Sequence, residues 1–416
     1  MMKKSHVVIV GGGFGGVYTA QMLVPFVKQG LIEVTLINKT NYFLFTPLLH
    51  EVATGGLGSY STTESLREIF KGTGVRIIQG VVDAIHLADK NLSVDGHMMS
   101  YDRLVVATGA QTNYYNIPGA QEYTRVLKTL SDALSIREEI IDAFEDAACM
   151  EDTLERKKQL TFVVVGGGAT GVEMVSELAE FTCELYTRHF KGSTRIEEGD
   201  YSLHLLNTGP ELLSMLPLSL RIQTKKRLDV LGVVLHLGMP VTEVQKDKIL
   251  FSPNEMLSAR FIFWSAGVTP ILPPFKEEVL MAMGHVKVTK ELALVEHADV
   301  FGLGDVALVE SPDGKGYPTV AQVAVQQAEV VAYNIIASLK NRPLKAFTYA
   351  SKGTLVSLGQ WYAVGTIFGM AFSGRLMWWI WRTVYLFKFN SWNKRWGIMF
   401  EWTRALFFPR DITKLR

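Results

Sequence analysis

Two glycine clusters and one pair of glutamines are the residues whose types and spacing can do chemistry. Gly11, Gly13 and Gly16 fit G-x-G-x-x-G inside a stretch that also holds Gly12, Phe14 and Gly15. In such a pattern the first glycine permits a sharp turn and the second lets backbone approach a pyrophosphate. The third lets a helix pack on a strand. Phosphate then meets the free N–H groups and positive pole of the helix N-terminus. The arrangement recurs at Gly166, Gly168 and Gly171, about 155 residues later. One cluster is weak evidence, because glycine-rich turns occur without nucleotide. Two, each between a strand and a helix, imply two dinucleotide sites. Gln322 and Gln326 stand at i, i+4, so a helix projects both from one face. Amides there can bind a carbonyl-bearing ring or simply meet water.

These residues need particular elements to hold them. Val7–Val10 reads as a buried strand running into the first cluster. Val17, Ala20, Leu23 and Val24 then share a helical face. The next strand, Glu33–Ile37, ends at Asn38, where a ribose-binding side chain belongs. Leu104–Ala107 closes in Ala107-Thr108-Gly109, small residues that bring backbone close to a cofactor. The second copy follows the same order. Leu160–Val165 leads into its glycines, Ser202–Leu206 stops at Asn207, and Phe261–Trp264 ends in Ser265-Ala266-Gly267. An acidic side chain at the Asn38 or Asn207 position would grip a ribose hydroxyl and repel a 2′-phosphate. Asparagine supplies no repulsion, so discrimination between NADH and NADPH stays open.

Three further stretches fit around these units. Glu173, two residues past Gly171, faces the nicotinamide end of a dinucleotide or is a carboxylate favoured by the helix dipole, worth about 0.3–1 kcal/mol. Asp299–Ala307 carries Gly302, Gly304 and Asp305, which suits either a polyol chain or an ordinary turn. The helix expected over Pro318–Ala337 carries the two glutamines. Asn41–Leu57 is an aromatic, apolar loop of the kind that covers something. Helix is expected over Glu64–Phe70 and through Thr129–Arg156. Turns at Asn116–Gly119 and Pro270–Pro274 mark crossings. They divide the chain into a first unit of 1–117 and 273–345, an inserted second unit of 118–272, and a tail of 346–416.

Composition excludes several classes. A net charge of +1 over 416 residues makes no case for nucleic acid. Cys149 and Cys183 have no paired spacing, which argues against a disulfide framework and against a metal site. Val7–Val10 meets glycine too soon for a signal-peptide core, so the catalytic body is expected to face the cytoplasm. The tail differs from the rest. From Arg375 onward nine Lys/Arg oppose Glu401 and Asp411, giving +7 and leaving −6 elsewhere, and six of the eight tryptophans lie here. Its uncharged runs are far shorter than the roughly 20 residues a span needs. Helices over 375–389 and 394–408 fit the interfacial type, with rings at headgroup depth and cations on anionic lipid. A dimer surface is compatible with the same composition. Deletion before Gly374 is expected to release the protein from membranes. The fold class is α/β: two Rossmann-like dinucleotide-binding domains, one inserted in the other, plus a C-terminal amphipathic helical membrane-anchoring region.

Five stretches then resemble one family. They are GGGFGG, the FTPLLHEVATGG of Phe45–Gly56, the GGGATGVE of Gly166–Glu173, the GLGD of Gly302–Asp305 and the AQVAVQ of Ala321–Gln326. Together they resemble type II NADH:quinone oxidoreductases, single-chain respiratory dehydrogenases that do not pump protons. The resemblance implies FAD among Gly11–Gly16, Asn38, Lys39, Val82, Ala107–Gly109 and Asp305. It implies NADH near Gly166–Gly171, Glu173, Asn207, Ala266 and Gly267. It sets Ala321, Gln322 and Gln326 beside the flavin, where a membrane quinone arrives, and matches Lys388 to a tail lysine, although Phe389-Asn390 departs from the expected glycine-containing pattern. Dithiol reductases of the same fold need cysteines on the first helix, and Val17–Pro25 has none. Sulfide:quinone oxidoreductase is disfavoured because Cys149 and Cys183 lie outside the flavin unit. A membrane-attached redox sensor is the non-enzymatic alternative.

Overall fold

Val7, Val8 and Ile9 have no exposed surface, as an unbroken β-branched run in a parallel sheet covered on both faces should. They belong to strand Ser5–Val10, inside a six-stranded sheet. Its parallel neighbours are Ile32–Asn38 and Arg103–Val106, with Val10 opposite both Ile37 and Val106. Arg76–Gln79 and His297–Gly302 extend the sheet in parallel on either side, and Ala293–Leu294 closes one edge antiparallel. The computed structural model describes residues 4–311, 314 and 316–413. In it this sheet is the heart of one unit, Met1–Leu44, Thr63–Gln111 and Val268–Ser351. Helices Phe14–Lys28 and Ala321–Leu339 pack on one another there. The second helix starts at Ala321, not Pro318, so Pro318 and Thr319 form its approach. The parallel strands deliver Gly11, Asn38, Ala107 and Leu303 to one end of the sheet, the place where open α/β sheets bind ligands.

The second unit is Phe45–Thr62, Thr112–Gly267 and Lys352–Arg416. Its parallel sheet runs Val233–Leu237, Ser202–Asn207, Thr161–Val165, Phe261–Trp264. Trp264, Phe251 and Ile262 form a core with Val163 and Leu206. The helical region expected over Thr129–Arg156 is two helices, Leu130–Cys149 and Thr153–Gln159. Asp152 starts the second by accepting from the N–H groups of Leu154 and Glu155, so a strong N-cap breaks the run. The aromatic loop folds inward within its own unit. Its short helix Leu49–Ala53 packs on Leu130–Cys149 and on Ala169–Leu185.

Other sequence expectations change as well. Glu64 lies in a strand, Thr63–Ser65, and helix is confined to Leu66–Ile69. Leu218–Val230 is a helix that apolar periodicity did not announce, because few of its residues are apolar and only Leu220, Thr224 and Leu228 are buried. The tail opens as an antiparallel sheet, Leu355–Ser357, Ala363–Ile367 and Met370–Gly374. Its helices are Arg375–Leu386 and Trp392–Arg404, each shorter than expected. The six tail tryptophans also divide. Trp378, Trp381 and Trp402 are core residues, whereas Trp379, Trp392 and Trp396 are 47%, 64% and 61% exposed. Only the latter three can meet a lipid headgroup. Among the described residues no helix is long and apolar enough to cross a membrane.

Candidate functional site

In the first unit the glycine cluster forms a turn that admits no side chain at its tightest points. Gly11 has φ +110°, and a Cβ there would run into the Ala107 carbonyl. A Cβ on Gly16 would overlap the Gly11 carbonyl oxygen. Gly13 is the opposite case. It is the N-cap of helix Phe14–Lys28, no side chain caps it, and the space beyond its Cα is open. An uncapped helix start with free space in front of it fits an incoming phosphate. Phe14 packs edge-on against Phe43, and Gly15 lies against Leu303.

Asn38 holds the turn rather than merely ending a strand. Its Oδ1 accepts from Gly12 N at 2.8 Å, and its Nδ2 donates to the carbonyl and hydroxyl of Thr40, both at 3.0 Å. Lys39 is exposed beside it, and Val82 starts the strand Val82–His86. Ala107 is buried, while Thr108 donates to the Ile271 carbonyl at 2.6 Å. Asp305 lies in the short helix Gly304–Val306, and its carbonyl hydrogen-bonds His285. Gly304 adopts φ +72°, and its N–H donates to Gln327 Oε1 at 2.7 Å. Gln327 was not a candidate from sequence, yet it is the buried residue that fixes this turn.

The second unit repeats the construction. Gly166 has φ +114°, a Cβ on Gly171 would overlap the Gly166 carbonyl, and Gly168 is an uncapped helix start with open space. Asn207 Oδ1 accepts from Gly167 N at 3.0 Å, and its Nδ2 donates to the carbonyls of Gly209 and Glu211, both at 3.0 Å. A carboxylate could accept the first bond but could not donate the other two. This gives a physical reason for asparagine at both positions. Ala266 and Gly267 follow Ser265, whose hydroxyl donates to Val165 O at 2.8 Å; Gly267 has φ +100° and leaves no room for a side chain against Tyr115.

Glu173 is buried, and its Oε1 accepts from Ser357 N at 3.1 Å. Burial, with the nearby Glu51 and Glu177 charges, pushes its carboxyl up to about 8, against the opposing effect of the Ser357 N–H. It is therefore protonated at neutral pH. It also heads a stripe. Glu173, Glu177, Glu180 and Glu184 recur at four, three and four residues on helix Ala169–Leu185, which puts them on one face. Glu180 accepts from Gln360 N, and Glu177 and Glu184 engage Arg410. The spacing was visible in the sequence; its partners, more than 170 residues away, were not.

Gln322 and Gln326 both start from helix Ala321–Leu339 and both are engaged inside the first unit. Gln322 Oε1 accepts from Tyr349 OH at 3.0 Å. Gln326 pairs with the backbone of Ala350 in both directions, at 2.9 and 3.1 Å. Ala321 is the first residue of the helix. Lys388 belongs to the second unit, exposed just past helix Arg375–Leu386; partial burial and the Lys352 charge lower its pKa.

Comparison with known proteins agrees with this geometry. Residues 5–328 match the pyridine nucleotide-disulphide oxidoreductase family, and residues 351–411 match the NDH2 C-terminal domain. The type II NADH:quinone oxidoreductase Ndh of Mycobacterium tuberculosis is 33% identical, with 96% of this chain and 88% of that protein covered. The type II NADH:quinone oxidoreductase of Haemophilus influenzae is 30% identical, with 87% of each covered. Among solved structures, NDH2 from Plasmodium falciparum in complex with NADH superposes with a TM-score of 0.89 at 23% identity, over 99% of this chain and all of that one. The sulfide:quinone oxidoreductase of Aquifex aeolicus follows at 0.76 and 18%, over 97% and 95%. At those identities the structures speak for the fold alone.

Proposed function

We propose a division of labour within this chain, which belongs to the type II NADH:quinone oxidoreductase family: the Gly11–Gly16 cradle holds FAD and the Gly166–Gly171 cradle holds NADH. The activity is FAD-dependent NADH:quinone oxidoreduction. FAD supplies the chemistry that takes a hydride equivalent from NADH and passes two electrons to quinone. The chain's residues bind, orient and hold protons. Asn38 and Asn207 keep each phosphate turn in shape, and Lys39, Val82, Thr108 and Asp305 complete the flavin surround. Gln322 and Gln326 line the quinone approach, steadied by Tyr349 and Ala350. Glu173 holds a proton on its buried carboxyl beside the nicotinamide end, and Lys388 serves the flavin side. The reaction takes up one proton from solution per quinol formed, and a carboxyl that keeps its proton at neutral pH suits that need.

The observation that carries the reading is the doubled cradle, each copy with an uncapped helix start, an overlapped glycine pair and an asparagine brace. Purified protein should be yellow. Its flavin absorbance should bleach with NADH and return on adding quinone; colourless protein made with ample riboflavin would end the proposal. A Glu173→Gln variant should turn over more slowly, and full turnover would remove that residue from the proton role.

Type II enzymes are peripheral membrane proteins, and we place this one on the cytoplasmic face of the membrane. Trp392, Trp396 and Phe400 are exposed on the same helix as Lys394 and Arg395. Aromatic rings and cations together favour an anionic leaflet, at about 1 kcal/mol per basic residue near its surface. Co-sedimentation with phosphatidylglycerol vesicles, lost in 1 M salt, is the expected result; concentration-dependent dimerisation without vesicle binding would assign the surface to a second copy instead.

A further inference from the structure

The second unit contains a cavity of about 870 Å³ between helix Ala169–Leu185, the end of helix Leu218–Val230, residues 360–362, helix Arg375–Leu386 and residues 405–410, and its lining does not include the Gly166–Gly171 turn. Arg382 lines it with a guanidinium of unusual status. The residue is only 8% exposed. Its Cζ lies 3.8 Å from the centre of the Trp378 ring and 4.8 Å from that of Trp402, so two indoles lie against it. Among the described residues it forms no ion pair, and its Nε has no hydrogen-bond partner. A guanidinium stacked on a ring keeps its N–H groups in its own plane, as a flat fork. Leaving the buried Nε unsatisfied is costly.

Glu51, Glu177 and Glu180 all act on Arg382 electrostatically, yet each has a nearer partner of its own. Glu177 contacts Arg410 at 2.9 Å, Glu180 contacts Arg227 at 3.1 Å, and Glu184 contacts Arg188 at 3.5 Å. Glu51 is occupied by the indole N–H of Trp402 at 2.7 Å, and burial raises its pKa, which weakens its pull on Arg382. Five arginines and four glutamates line the cavity, an excess of one positive charge, with Arg375 at its exposed side. Trp361, Phe407 and Phe408 add apolar walls.

We propose that this cavity binds a phosphate-class oxyanion, held by the Arg382 fork against Trp378 and Trp402 and approached past Arg375. Planar guanidinium matches such an anion with two parallel hydrogen bonds. The chemistry is shared by a free phosphate and by the headgroup of an anionic phospholipid whose chains would lie along the apolar walls. None of its lining residues belongs to Gly11–Gly16 or Gly166–Gly171.

The test is calorimetric titration of the purified full-length protein. The probes are inorganic phosphate and dihexanoyl phosphatidylglycerol, the latter kept below its micelle concentration. Saturable binding is expected, and Arg382→Gln should weaken it about tenfold or more, the loss of a charged hydrogen-bonding group. Tighter binding of the lipid assigns the headgroup source; tighter or equal binding of phosphate assigns the free anion. If Arg382→Gln does not fold, Arg375→Gln, at an exposed position, should weaken binding about two- to fivefold. No saturable binding of either probe, or an affinity unchanged in the folded variant, overturns the proposal.

Discussion

Glu173 makes a pH-dependent contribution whose sign follows from its pKa, raised from 4.5 to about 8. Below pH 4.5 folded and unfolded chains both hold the proton. Between 4.5 and about 8 only the unfolded chain releases it, so folding stability falls as pH rises, by at most about 1.4 kcal/mol per unit. Glu173→Gln removes that slope. The variant should melt higher than wild type at pH 8 and no higher at pH 4.5; the same difference at both would refute the buried-acid reading. Asn207 offers a second residue-scale test. Asn207→Asp loses both donations, to Gly209 and Glu211, and puts a negative charge where a 2′-phosphate would lie. The ratio of NADPH to NADH activity should fall roughly tenfold through like-charge repulsion. An unchanged ratio would mean that discrimination resides elsewhere.

At the scale of elements, the carboxylate face of helix Ala169–Leu185 explains how the tail is attached within its unit. Glu173 takes the Ser357 N–H, Glu180 the Gln360 N–H, and Arg410 reaches Glu177, Glu180 and Glu184. Arg227 adds bonds to the carbonyls of Leu358 and Gln360. Removing one member of such a buried network leaves the opposing charges uncompensated, at about 3–5 kcal/mol. Arg410→Gln should therefore lower the melting temperature by roughly 10 °C. A shift within experimental error would show that the strap is dispensable. A milder case is Gln327→Ala. It frees the Gly304 N–H and should loosen flavin retention, measured as the flavin-to-protein absorbance ratio after dialysis.

For the molecule as a whole, the tail is both a surface and a structural part. Trp402, Arg382 and Arg410 are buried or bonded inside the second unit. Deletion before Gly374 would remove all three and is now expected to destabilise that unit instead of cleanly freeing the protein from membranes. Substitution of exposed aromatics separates the two effects. Trp396→Ser with Phe400→Ser should reduce vesicle co-sedimentation by more than half while leaving the melting temperature unchanged. Retained binding would move the lipid contact off this helix. The charge asymmetry, +7 after Gly374 against −6 before it, orients approach to an anionic surface and is screened by salt.

Sequence alone determined the two cradles, their order and the strands feeding them. Glycine spacing reports a local backbone requirement, a positive φ at Gly11 and Gly166 and an overlap at Gly16 and Gly171, and such requirements are written within a dozen residues. It also determined that Gln322 and Gln326 share a helix face, since that needs only 3.6-residue periodicity. Tertiary structure decided what those side chains touch. Asn38 and Asn207 brace turns, Gln326 grips Ala350, half the tail tryptophans are core, and Arg382 is a buried cation against two indoles. Each of these depends on which distant segment supplies a partner and how much water is left, and neither is encoded in the neighbouring residues.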